Sequence, residues 1–288
     1  MPSPGRLRLT RQQILAFRRR VGGLDARTPK SAGSLRHAAW AGLQDSMPRA
    51  ALLSLHARID GVGPLTWDDP SMTDGEVARA LGVGNRIRYA ATTGTIAIRW
   101  EGARAPVIWA VDPPAIEPAA ACRELARRHL RVFGPTTAVG FARWAGISRS
   151  AAAGAHAALE GSLLPVRTPL GDEWLLADDE QEMRAAETAP ATARLLPSGD
   201  AYFLLDGKER ELLVPHADRR ALLWTSRVWP GALLVEGEIR GTWRRAQHAV
   251  RIETWTRLSR AARDAVEAEA AALPLPGLGR RIEVAWST

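Results

Sequence analysis

The chain has 288 residues, 46% apolar and 24% charged, which is enough for packed cores beneath a solvated surface and argues against global disorder. A single cysteine, Cys122, excludes an intrachain disulfide framework and any cysteine-rich zinc site. The net charge of +8 comes almost wholly from arginine, since Lys30 and Lys208 are the only lysines, and no apolar run reaches the ~20 residues of a membrane helix.

In chain order, Thr10-Arg11-Gln12-Gln13 reads as a capping box opening a helix that Gly22-Gly23 stops. Leu35, Ala39 and Leu43 predict a second helix over 35–44, and Gln44-Asp45-Ser46-Met47-Pro48 breaks the pattern. Leu52, Leu55, His56 and Ile59 form one face of a third helix. Residues 73–91 then read as two short helices around the turn at Gly82. A hairpin of 95–100 with 107–111 follows, completing the outline of a winged helix-turn-helix. A proline-rich joint at Pro113, Pro114 and Pro118 leads into a helix over 117–131, and the outline repeats. Residues around Val139–Trp144 form a helix, Gly146 turns, Ser148 caps a helix over 149–160, and 163–167 pairs with 173–176. Residues 178–192 are acidic and alanine-rich. Beyond Leu195 the period becomes that of strands. Tyr202–Leu205 pairs with Leu212–Val214 about Asp206-Gly207, residues 232–236 pair with 239–243 about Gly237, and 250–256 add a further strand. A helix over 259–272 and a strand over 282–286 close the chain.

The expected fold is therefore α+β: tandem winged helix-turn-helix modules followed by a C-terminal β-barrel-like domain. The boundaries fall at 1–112, 113–192 and 193–288.

An arginine-rich basic chain suits a polyanion, DNA first, because guanidinium binds phosphate bidentately. GC-rich codons enrich arginine as well, so composition leaves both explanations standing. The sequence has no P-loop, no dinucleotide-binding glycine pattern in strand–helix context and no nucleophile elbow, and its six histidines lack metal-ligand spacing. No metal and no cofactor are expected. Gln44, Asp45 and Ser46 stand together at the helical break, with His37 two turns earlier. As a helix start they need only cap; as a site, a carboxylate beside an amide positions water and stabilises a cationic sugar.

Several stretches resemble the AlkZ/YcaQ-like winged-helix DNA glycosylases. They are Ala39-Trp40-Ala41-Gly42-Leu43-Gln44-Asp45-Ser46-Met47-Pro48-Arg49, Phe133-Gly134-Pro135-Thr136-Thr137 running on to Gly146, Leu195–Tyr202, and Val235–Arg244. The resemblance runs in order over residues ~10–286. It implies two winged modules and a barrel around a DNA channel, and excision of N-alkylated or crosslinked purines from duplex DNA. The implied protein is bacterial, acts as a cytoplasmic, nucleoid-associated monomer without membrane or obligate protein partner, and serves DNA repair. The family's catalytic motif, Gln-x-Gln or Gln-x-Asp, places its first glutamine on Gln44 and its last position on Ser46, with Asp45 one position early. Catalysis is accordingly assigned to Gln44, Asp45 and Ser46. DNA contact is assigned to His37, Arg49, Arg86, Arg88, Arg143, Arg149, Arg244 and Arg245. The stretch between Trp67 and Asp74 is short for the family. A non-catalytic DNA-binding regulator on the same scaffold is the alternative, and a protein-interaction scaffold with scattered charge is a third.

Overall fold

A computed structural model describes residues 6–43, 50–63, 72–73, 96–99, 107–112, 115–185, 192–246, 248–275 and 282–287. The paired helices expected at 73–91 lie outside these residues except for Thr73, which the structure places at the end of a short strand.

Strand β1 (Leu7–Arg8) leads into helix α1 (Arg11–Val21), whose capping box is formed as expected: Thr10 accepts from the Gln13 amide while the Gln13 side chain accepts from the Thr10 amide. Helix α2 spans Ala32–Ala38 rather than 35–44. Its start is fixed by Ser31 and Ser34, which cap each other, and it ends at the Ala39 cap; after a short turn Gly42 adopts φ of 85°, a left-handed conformation that glycine takes without strain. Helix α3 (Ala50–His56) buries Leu52 and Leu55 with Ile59 and Val62, and Leu35, Ala38 and Leu43 pack on this group.

Next comes a small sheet. Strand β2 (Met72–Thr73) pairs with one edge of β4 (Val107–Ala110), and β3 (Ile96–Arg99) pairs antiparallel with its other edge. The hairpin was legible in the sequence and β2 was not, because two residues carry no period.

Helix α4 (Pro118–Phe133) is capped by Glu117, with Pro118 in the first turn where no amide partner is needed. Helix α5 (Ala138–Ala145) ends at Gly146 in the left-handed region, and Ser148 caps α6 (Arg149–Ala157). Strands β5 (Leu163–Thr168) and β6 (Gly171–Leu176) form the expected hairpin, and both its edges are engaged. On one side β1 pairs parallel to β5; on the other Thr136 exchanges backbone hydrogen bonds with Trp174. Leu9, Ile14, Phe17 and Val21 from the N-terminal segment share one core with Val166, Leu175, Met183 and Leu212.

Helix α7 (Glu180–Arg184) leads to strand β7 (Ala193–Leu196). The strand pair expected at 202–205 and 212–214 is corrected by the structure. Residues Ala201–Phe203 form a 3-10 turn capped by Asp200, and α8 (Glu209–Leu213) and α9 (Ala217–Leu223) follow. The apolar run Leu212-Leu213-Val214 has the composition of a strand, but its members enter two different cores from one helix end.

The C-terminal sheet runs β11-β10-β9-β8-β7, with β8 (Gly231–Val235), β9 (Glu238–Ala246), β10 (Ala249–Thr254) and β11 (Glu283–Ser287). This order has two ends, so among the described residues the sheet is open, and the barrel-like expectation is corrected to an open sheet. Both faces are covered by other means. Helix α10 (Arg260–Ala271) packs Ala262, Val266 and Ala270 on Leu195, Leu233, Val250 and Ile252, while Leu196, Leu234 and Ile239 enter the central core with Phe133, Phe203 and Leu223. With each apolar face already buried, closure adds nothing to the core. Strand β10 pairs parallel to β11, as a helical crossover requires, and at Gly241 an added Cβ would lie 2.1 Å from the Glu253 carbonyl.

Candidate active site and nucleic-acid interface

The predicted catalytic residues Gln44, Asp45 and Ser46 lie outside the described residues, as do Arg49, Arg86 and Arg88. What is described is the frame that delivers the chain to them. Leu43 is anchored on the Leu52–Ile59 face, directly after the left-handed turn at Gly42. His37 donates from Nε2 to the Val21 carbonyl at 3.1 Å, which ties α2 to the end of α1. Trp40 lies under two guanidinium groups, those of Arg128 at 4.6 Å and Arg127 at 5.6 Å from its ring centre. A narrow cleft of about 20 Å³ opens here, lined by Arg18, His37, Trp40, Gly42, Arg58 and Tyr202.

The floor of this region is a buried ion pair. Arg58 binds Asp200 through both nitrogens at 2.7 Å, Ser54 donates to the same carboxylate at 2.7 Å, and the Tyr202 amide donates at 2.9 Å. Burial alone would raise the Asp200 carboxyl, but the charge and hydrogen bonds of Arg58, with Ser54 and the Tyr202 amide, outweigh it and hold it below the ordinary value. Arg58 also donates to the Gly22 and Ser54 carbonyls, so one side chain fixes the ends of α1 and α3 against the C-terminal unit.

Several arginines that composition alone offers to DNA are thus structural. Arg18 is buried and donates to the carbonyls of Phe133, Gly134 and Pro135. Arg11 pairs with both oxygens of Glu238 at 2.7 Å, and Arg27 pairs with Glu269. Arg194 donates to the Ala57 and Ala193 carbonyls. Sequence patterning held a signal for Arg18, which shares a helical face with Ile14 and Val21 at i, i+4, i+7 spacing.

The remaining predicted DNA contacts sit at the surface on different elements. Arg149 is the first residue of α6, exposed; Arg143 is exposed on α5 beside Gly207. Arg244 is exposed on β9 and donates to the Val228 carbonyl at 2.9 Å, and Arg245 follows it, also exposed. No group of three or more metal-ligating side chains is gathered among the described residues, and among them no helix is long and apolar enough to cross a membrane.

A larger cavity of about 730 Å³ lies beneath α5, between the β5–β6 hairpin and the 204–210 segment. At its wall stands Glu173, 7% exposed, whose Oε2 has no hydrogen-bond partner among the described residues. Burial pushes its carboxyl up to about 7, and the nearby Glu209 adds to that, while Thr168 and Arg18 oppose it. Glu209 accepts from the Thr136 hydroxyl at 2.9 Å and lies 3.8 Å from Arg18; burial raises its carboxyl too, against Arg18 and Thr136. His129, behind α5, is packed among Phe133, Phe141 and Trp144, and burial lowers it to about 3, so its ring is neutral. Sequence reasoning passed over Glu173, though strand alternation places it on the same inward face as Leu175.

Comparison with known proteins agrees with this architecture. The family model "DNA glycosylase AlkZ-like" matches residues 67–274. The structure of the Streptomyces sahachiroi DNA glycosylase AlkZ superposes with a TM-score of 0.72 at 16% identity, covering 98% of this chain and 100% of that one. A comparison with curated protein sequences returns no match.

Proposed function

Because the chain belongs to the AlkZ-like DNA glycosylase family, we propose that it binds duplex DNA and hydrolyses the N-glycosidic bond of alkylated or crosslinked purines. The observation that carries this reading is the match of the family model over residues 67–274, and the likeness of fold over nearly the whole of both chains agrees with it. An N7-alkylated purine is cationic and leaves readily, so no strong general acid and no cofactor are needed. The chemistry needs a group that stabilises the oxocarbenium-like sugar and orients water.

In this reading Gln44 holds the water or sugar by hydrogen bonds. Asp45 supplies charge stabilisation or takes the proton from water. Ser46, at the last position of the family motif, completes the segment. The Arg58–Asp200 floor and the Gly42 turn hold the point where this segment leaves the core. The helix–turn–helix–hairpin of 138–176 acts as a winged DNA-binding module, paired with a first one within 1–112. The units 1–112, 113–192 and 193–288 surround the duplex as a monomer in the cytoplasm. His37, Arg49, Arg86, Arg88, Arg143, Arg149, Arg244 and Arg245 meet the backbone. A crosslinked base cannot leave the duplex freely, so the site approaches its lesion along a groove rather than by extruding the base.

Ser46 favours a second reading, because serine brings neither amide nor carboxylate: a DNA-binding protein without catalysis. The test is incubation with duplex DNA carrying N7-methylguanine or a nitrogen-mustard crosslink, followed by counting of abasic sites. Base release by the wild type, reduced at least about 100-fold in Gln44→Ala or Asp45→Ala, is expected. Absence of release while the duplex is still bound establishes the second reading. Equal release by both variants moves the active site elsewhere.

A further inference from the structure

Where β10 runs on into α10 the surface is hollowed. A groove of about 820 Å³ lies against Trp255, Trp286 and the first turns of α10. Trp255 and Thr256 line it and also line a smaller depression of about 260 Å³ beside α9 and β9, so the two form one path. Arginines stand along its length: Arg240 in the smaller part, Arg257, Arg260 and Arg263 in the larger. The side chains of Arg240, Arg257 and Arg260 have no hydrogen-bond or ion-pair partner among the described residues, and the last two are exposed. This sets them apart from Arg18, Arg58 and Arg194, whose guanidinium groups are engaged by carbonyls or a carboxylate. Of the acids on these walls, Glu238 is paired with Arg11, and Glu267 accepts from the Trp286 indole at 3.0 Å. Asp264 is the remaining carboxylate. Cations therefore outnumber open carboxylates along the path.

From this geometry we infer that the groove carries the phosphate backbone of duplex DNA, as a second contact surface supplied by the C-terminal unit and separate from the cleft at Trp40. The duplex as occupant rests on the reading of this chain as a duplex-binding glycosylase; the phosphate chemistry of the groove does not. The two places lie at opposite ends of α1. Arg11, its first residue, lines the smaller depression, and Val21, its last, lines the cleft, about 15 Å away along the helix.

The choice of ligand follows from what the walls offer. Unengaged guanidinium forks bind phosphate oxygens in pairs, and the hydroxyls of Thr254 and Thr256, on the same wall, are further donors to a backbone. A single strand is held differently, by bases stacked on open aromatic faces between the basic groups. Here the guanidinium of Arg263 covers Trp286, 4.4 Å from its ring centre, and Trp255 is half-buried against the central core. With both indoles occupied, the groove meets its ligand through guanidinium and hydroxyl groups, which read backbone rather than base.

The experiment is fluorescence anisotropy of a labelled, undamaged duplex at several salt concentrations, with the full chain and its triple variant Arg240→Gln, Arg257→Gln, Arg260→Gln. Unlabelled duplex, the corresponding single strand and polyglutamate serve as competitors. The triple variant is expected to bind the duplex at least about tenfold more weakly at low salt, with a log–log salt slope smaller by about 2–3, and to unfold at the wild-type urea midpoint. Arg257→Gln alone lowers the slope by ~0.9, which guards against a folding defect in the triple variant. Unchanged slope and affinity in the triple variant overturn the groove and keep the duplex-binding reading. No duplex binding by the wild type overturns both. A lowered slope in a protein that releases no base keeps the groove and overturns the glycosylase reading. Single strand or polyglutamate that displaces the duplex as well as unlabelled duplex does overturns the assignment to duplex DNA.

Discussion

Arg58 and Asp200 are 142 positions apart and form a two-pronged pair at 2.7 Å, with the Asp200 side chain wholly buried. The pair joins the second residue after α3 to the turn after β7, so α3, on which Leu43 packs, is held by the C-terminal unit. Removing one partner of such a pair leaves a buried charge uncompensated.

Asp200→Asn, which keeps nearly the same shape, is therefore expected to lower stability by about 3–5 kcal/mol, read as a fall in the urea midpoint. Because the folded-state carboxyl is held below its ordinary value, its contribution is present at neutral pH and is lost as the pH falls through that depressed value. The gap between wild type and variant thus narrows on acidification. A gap that stays constant from pH 7 to pH 3 would show that the charge does not matter.

Glu173 behaves oppositely. Its carboxyl is raised from 4.5 to about 7, so the folded state keeps a proton that the unfolded chain releases, and stability declines as the pH rises between those two values. Glu173→Gln removes this dependence. Relative to wild type, the variant is expected to gain on the order of 2 kcal/mol between pH 5 and pH 8, measured by scanning calorimetry at both. A variant that gains equally at both pH values refutes the assignment.

Gly241 lies where β9 meets β10, and a methyl group there meets the Glu253 carbonyl at 2.1 Å. Backbone cannot yield as a flexible side chain can, so Gly241→Ala is expected to cost about 3 kcal/mol and to loosen the pairing of β9 with β10. Amide exchange at Thr254 and Trp255 reads this out directly; unchanged protection there contradicts the expectation.

Arg149 stands exposed at the head of α6. If it meets a phosphate, Arg149→Gln lowers the slope of log affinity against log salt by ~0.9 and leaves the unfolding midpoint unchanged. An unaltered slope removes Arg149 from the interface.

Local signals in the sequence recovered much of the fold. The Thr10 and Ser148 caps, the left-handed glycine at 146, the hairpins about 169–170 and Gly237, and helix α10 all announce themselves within a few residues. What failed depended on distance along the chain. Leu212-Leu213-Val214 has the composition of a strand but ends a helix, because its neighbours in space come from both the hairpin core and the central core. The open C-terminal sheet was read as barrel-like because strand count carries no information about whether the edge strands meet. For the proposed site, the sequence offered Gln44 through its place at a helical break and the family resemblance, and the arginines through residue type. It could not separate Arg58, spent on a carboxylate and two carbonyls, from Arg149, which faces solvent. Glu173 was missed because an acidic residue in a hairpin ordinarily faces water.

The parallel pairing of Leu7-Arg8 with Val166-Arg167 means that the first residues of the chain complete a sheet belonging to its middle. Cutting the protein at the proline joint would therefore not yield separable halves: the central fragment would expose a bare strand margin open to self-association, and the leading fragment would lose the surface on which Phe17 rests. A hairpin braced along both flanks is stiff, able to press against a partner surface but poorly suited to bending around one.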